Sequence, residues 1–135
     1  MDRNLQILGL AKKAGLLAVG LQDTVCAARA GKARLIVSTS DASDSALRRA
    51  RNSAESNRVL HIVLPYSSFE LGNISGRGSP GTAAILDTGL AARFLRGLAE
   101  TEPDRYKEPA ELLQKACAHA KKKKHTPSGK RRTVQ

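Results

Sequence analysis

Three short aliphatic runs limit the fold of this chain more than any other feature. ARLIVST (33–39) and TAAIL (82–86) each hold an unbroken apolar stretch, and RVLHIVL (58–64) holds one interrupted only by His61. Continuous runs, as opposed to alternating ones, are expected of strands covered on both faces. The segments between them space their apolar residues for helices. Strands joined through a helix cannot form hairpins, so the connections must cross over and the sheet must be parallel or mixed.

The helices can be placed from spacing and caps. Leu5, Leu8 and Ala11, with Ile7, Leu10 and Ala14, define the apolar side of a first helix that Gly15 closes. A second starts after Gly20 and ends at Gly31, with Leu21, Val25 and Ala28 as its core stripe. Gln22, Cys26 and Arg29 line another face, with Asp23 beside it. Asp41 or Ser43 caps a third, which buries Leu47, Ala50 and Ala54. Ser67 and Glu70 stand at capping-box spacing and open a short helix ending near Gly76, with Tyr66 and Phe69 as core or helix-start residues. Asp87 or Thr88 caps a helix that buries Leu90, Phe94 and Leu98. The expected fold is α/β: a three-layer α/β/α sandwich with a small mixed central sheet over residues 1–100, followed by a basic C-terminal tail. Within 101–120, Pro103 and Pro109 bracket a polar linker, and Leu112, Leu113 and Ala116 allow one short helix over Ala110 to Ala120. Residues 121–135 have almost nothing to bury and are expected to be disordered.

The chain carries 23 Lys and Arg against 12 Asp and Glu, a net charge of +11, which favours polyanionic partners. Beyond Ala120 there are seven cations and no acid. Catalysis finds little support. Cys26 has no His or Asp partner at a recognisable spacing, and the histidines are His61, in a strand pattern, and His119 and His125 in the charged tail. The glycine-rich stretch 72–81 lacks the Gly-Lys-Ser/Thr ending of a P-loop and leads into a strand, whereas a dinucleotide loop leads into a helix. Two cysteines make no disulfide framework, and neither His nor Cys stands at metal-ligand spacing. No signal peptide or membrane-length apolar stretch is visible. The expectation is a cytoplasmic protein that is not an enzyme, uses no cofactor or metal and is monomeric.

Binding to nucleic acid is better supported, and composition narrows its mode. Aromatic residues are only 3% of the chain and Trp is absent, which argues against a stacking platform for bare single strands. Helix ends, glycine-bearing loops and cations remain, and these suit a structured RNA. Gly20 permits close approach of a nucleic-acid backbone. Gln22 can donate to and accept from a base, and Asp23 can accept from the amino and imino groups of a guanine edge. Asp23 equally suits a helix start for its charge alone. Lys12, Lys13, Arg29, Lys32 and Arg34 cluster in sequence around this segment as candidate phosphate contacts.

The stretch LGLAKKAGLLAVGLQDTVCAARAGKARLIVSTSDAS resembles the first half of the kink-turn-binding ribosomal-protein superfamily, in particular its small bacterial YlxQ-type members. ELGNISG, RGSPGT, AAIL and DTGLA fit the second half, so the similarity spans roughly residues 3–100. The resemblance implies the same three-layer fold and binding to RNA with a kink-turn or similar internal loop. It places the family's Gly, Asn-Glu pair and Lys on Gly20, Gln22, Asp23 and Cys26, and its second contact loop on Arg77, Gly78 and Ser79. Here Gln22 is longer than Asn, Asp23 shorter than Glu, and Cys26 uncharged. The implied partner is a structured RNA, with ribosomal RNA, the ribosome and RNA-processing proteins as candidates. A protein-interaction adaptor of the same fold, touching nucleic acid only through its tail, is the alternative.

Overall fold

In a computed structural model of the chain, residues 3–76 and 78–125 are described, with side chains to Lys115. The elements run α1 (Arg3–Lys13), β1 (Leu17–Val19), α2 (Leu21–Arg29), β2 (Leu35–Ser38), α3 (Asp44–Ser56), β3 (Leu60–Val63), α4 (Ser68–Ser75), β4 (Thr82–Ile85), α5 (Thr88–Thr101) and α6 (Pro103–His125). Four strands form one mixed sheet in the order β1-β4-β2-β3. β2 and β3 are parallel, with Leu35 opposite Leu60, while β4 lies antiparallel between β1 and β2.

The period of two along the central strands sorts side chains into two cores. Leu35, Val37, Ala83 and Ile85 join α1, α4, α5 and α6 in a core built from Leu8, Leu71, Phe94, Leu95, Leu98 and Tyr106. Ile36 and Ala84 face the other way and meet α2 and α3 in a core made mostly of alanine: Ala28, Ala33, Ala50 and Ala54. The first layer buries large side chains, each contributing about 1.5–3 kcal/mol on leaving water. The second brings helices close to the sheet because alanine keeps them at short range. This is the expected three-layer α/β/α sandwich.

Several caps fall where sequence put them. Ser43 accepts from the Ala46 N–H at 3.1 Å, Ser67 and Glu70 complete a capping box, and Asp87 accepts from the Leu90 N–H at 2.9 Å. Asp41, the other candidate cap of α3, instead holds the Ser68 N–H and hydroxyl at 2.8 Å each, tying the loop after β2 to the start of α4. Those bonds from the Ser68 hydroxyl and N–H, with Thr39 adding to them, hold the Asp41 carboxyl below the usual carboxylate range.

Other expectations need correction. Three residues, Leu17 to Val19, form a strand that the sequence reading passed over. β3 is an edge strand and only half-buried, although its apolar run suggested cover on both faces. On α2 the buried positions are Thr24 and Ala28, and Val25 is only half-buried. Leu10 and Ala14 are exposed. The largest difference is α6. Where a polar linker and a short helix within 110–120 were expected, one helix runs from Pro103 to His125 straight through Pro109. An internal proline removes a helix hydrogen bond and costs about 3 kcal/mol. Burial of Tyr106, Ala110 and Leu113 in the main core offsets this, and the Tyr106 hydroxyl donates to the Val63 carbonyl at 2.6 Å. The helix also covers residues 121–125 of the segment expected to be disordered. The remainder of that segment, 126–135, lies outside the described residues. Among the described residues no helix is long and apolar enough to cross a membrane.

Candidate nucleic-acid interface

The strand order decides what meets at each end of the sheet. β1 enters α2 through Gly20, β2 and β3 run the same way as β1, and β4 runs back. The end of β1, the end of β2 and the start of β4 therefore lie together. The Gly20 N–H donates to the Thr82 carbonyl at 2.8 Å, and the Thr39 N–H donates to the Gly81 carbonyl at 2.9 Å. Gly78 and Ser79, both exposed, stand a few residues before Thr82 on the same chain. The start of α2 and the loop entering β4 thus form one tip. Arg77, the remaining member of that expected loop contact, lies outside the described residues.

Gly20 has φ 100° and ψ 155°, a conformation essentially restricted to glycine. It serves as the N-cap of α2 and supplies no side-chain cap, whereas α3, α4 and α5 each have one. Gly20 has no side chain to accept from the N–H groups of the first turn of α2, and such N–H groups let a helix start attract an acceptor. Gln22 and Asp23 are exposed on that first turn. Cys26 and Arg29 continue the exposed stripe below Gln22 at i+4 and i+7, as the spacing predicted.

Beside this tip two buried hydroxyls, Thr24 Oγ1 and Thr82 Oγ1, have no hydrogen-bond partner. Register pairs Thr82 with Ser38, and both share the face of Ile36 and Ala84 under α2 and α3. Ser38 Oγ lies 2.9 Å from His61 Nε2. This hydroxyl–imidazole pair has the composition of a nucleophile and its base, but Ser38 is fully buried and offers a substrate no approach. Burial, and then the charge of Arg51, hold the His61 imidazole below its ordinary pKa. Among the described residues no group of His, Cys, Asp and Glu is arranged to hold a metal ion.

The five candidate phosphate contacts do not join the tip. α2 descends from Gly20 to the opposite end of the sheet, where the Arg34 N–H donates to the Ile85 carbonyl and the Leu86 N–H to the Leu16 carbonyl. Lys12 and Lys13 end α1 there, Arg29 ends α2, and Lys32 and Arg34 occupy the loop that enters β2. Sequence proximity to Gln22 suggested one surface. A helix of nine residues, about 13 Å long, separates them instead.

One exposed residue at the same end of the sheet was not expected from sequence. Phe69, second residue of α4, is 66% exposed, whereas Tyr66 is 6% exposed and belongs to the core. The capping box was legible and fixes the helix start. Leu71 and Ser75 mark the buried side four residues apart, and Phe69 falls outside that stripe. That was the available signal.

Fold and site together define an α/β/α sandwich whose first α2 turn and β4 entry loop meet at one end of a mixed sheet. Solved structures share the fold. The chain is similar to a protein of unknown function from Bacillus halodurans C, with TM-score 0.65 and 23% identity over 72% of this chain and 97% of that one. It is also similar to the Giardia lamblia 15.5kD RNA binding protein, with TM-score 0.56 and 18% identity over 73% of this chain and 84% of that one. No protein-family model matches the chain, and no curated protein sequence matches it.

Proposed function

We propose that this chain is a non-enzymatic RNA-binding module that recognises a structured RNA through the tip formed by Gly20, Gln22, Asp23, Gly78 and Ser79. One observation carries the reading: the Gly20 N–H bond to the Thr82 carbonyl joins the uncapped α2 start to the glycine loop. The RNA-binding protein of the same fold supports it. An internal loop of the kink-turn kind is the RNA form that the sequence resemblance favours. There the Gln22 amide and the Asp23 carboxylate would meet base edges, which a carboxylate can accept from, while phosphates it repels stay away. Phe69 adds an exposed ring at the same end for an unpaired base.

Equilibrium binding to an RNA stem interrupted by an internal loop with tandem G·A pairs tests the reading. Gln22→Ala with Asp23→Ala should weaken binding to that RNA and leave an uninterrupted stem unaffected. If the paired substitution leaves both affinities as they were, the tip does not read bases. Partners pulled from lysate that survive ribonuclease treatment, together with such a result, would favour a protein-interaction adaptor.

A further inference from the structure

The two ends of the sheet differ in charge. At the tip end, helix starts and loops carry Asp23, Asp41, Asp44, Glu70, Glu102 and Asp104, against the cations Arg3 and Arg105, the latter paired with Glu102 at 3.3 Å. At the opposite end stand Lys12, Lys13, Arg29, Lys32, Arg34 and Arg58, with Glu55 and the capping Asp87 as the acids nearby. Lys12, Lys13 and Arg29 lie in the last turns of α1 and α2, where they complement the helix dipoles. Lys32, Arg34 and Arg58 lie outside the helices and are exposed, and the Arg34 guanidinium also donates to the Gly31 carbonyl just past the end of α2 at 3.1 Å.

α5 climbs over 14 residues from the cation-rich end to the tip end, and α6 returns beside it over 23 residues. α6 is thus nine residues longer, about 13 Å of helix, and its sequence closes on Lys121, Lys122, Lys123 and Lys124 before His125.

We propose that this end is a second nucleic-acid surface, one that holds the phosphate backbone of an RNA helix without reading its bases. Its chemistry is that of a backbone grip. The cations sit at the ends of helices on both faces of the sheet and in the loops between them, so they span the thickness of the sandwich. RNA helices are recognised mainly by shape and by phosphate contacts of this kind. Among the four aromatic side chains the exposed one, Phe69, lies at the other end. Among the described residues the exposed leucines, Leu10 and Leu112 on separate helices, are too little apolar surface to insert into a membrane. The inference is independent of base reading at the tip, since it requires no internal loop.

The test uses the full chain and a blunt RNA duplex of about 20 base pairs, long enough for the two grooves and intervening phosphates that a shape-reading protein contacts. Binding is followed by fluorescence anisotropy across a salt series. With Lys12, Lys13, Arg29, Lys32 and Arg34 each changed to Gln, duplex affinity should fall about 100-fold, and the log–log salt slope should become shallower by about 4. Gln22→Ala with Asp23→Ala should leave duplex binding unchanged, which separates failure at this end from failure at the tip. Thermal melting reports whether the fivefold variant folds. If it does not, Lys32→Gln with Arg34→Gln, both in a loop, should still flatten the slope by about 2. A folded variant that binds the duplex with wild-type affinity and slope overturns the proposal. So does a wild-type chain that binds vesicles of phosphatidylcholine and phosphatidylserine but no duplex.

Discussion

Helix α2 connects two ends of the sheet that are built in opposite ways. At its start stand a glycine in a conformation closed to other residues, an exposed carboxamide and an exposed carboxylate. At its finish the exposed groups are Arg29, Lys32 and Arg34, and the backbone is an ordinary helix end closed by Gly31 at φ 74°. The first end has shape and hydrogen-bonding groups but a charge that opposes phosphate. The second has charge and no base-reading group. A surface that selects and a surface that holds need different side chains, and the two proposed surfaces lie about one helix length apart.

The strongest way to break this comparison is the salt-dependent duplex experiment, where neutralising five cations should cost about 100-fold in affinity. Loss of duplex binding from the tip variant instead would show that the two ends act as one surface. Next in size is the tip. Gln22→Ala with Asp23→Ala should weaken binding to the interrupted stem about 10- to 100-fold, the loss of about 1–3 kcal/mol of base contact, with an unchanged salt slope. A slope that shifts by a unit or more would mean that the tip touches phosphate.

Stability sharpens the contrast further. Gly20→Ala forces alanine into φ 100°, ψ 155°, and should cost about 2–3 kcal/mol in urea unfolding. Gly31→Ala, in the left-handed helical region, should cost about 1–2 kcal/mol. Equal losses would show that the tip is not specially strained. Thr24→Val should change stability by less than about 1 kcal/mol and toward a more stable fold, because the buried hydroxyl it removes has no partner. A marked loss would reveal a bond that the hydroxyl makes.

The last effect is one of pH. His61 is held neutral by burial and by Arg51, below its ordinary pKa of 6.5. The unfolded chain then binds more protons as pH drops below that value, so stability is present above it and declines on acidification. Melting temperature should fall between neutral pH and mildly acidic pH. His61→Gln should remove that slope, and a variant retaining it would place the cause elsewhere.

Much of the fold was legible because the signals were local. The runs around Leu35 and Ala84 are strands, and Ser43, Ser67 and Asp87 cap helices as their positions indicated. β1 was missed because three residues between two glycines carry no periodicity, and their strand state depends on pairing with β4, more than 60 residues away. α6 was missed because Pro109 is a local break signal, and only contact of Tyr106 and Leu113 with a distant core overrides it. For the site, exposure of Gln22 and Asp23 followed from α2 spacing. The placement of Lys32 and Arg34 did not, because sequence neighbours at the two ends of a helix point to opposite ends of a sheet.

The sequence by itself determined that strands alternate with helices, where most helices begin, that Gly20 opens α2, and that the chain is strongly cationic. These follow from side-chain period, capping groups and charge, which act over a few residues or need no geometry at all. Tertiary structure alone decided that β4 inserts between β1 and β2. That insertion seats the glycine loop beside Gly20 and leaves the cations at the far end. The physical reason is that strand order is selected by burial of both sheet faces at once, a condition no single segment carries.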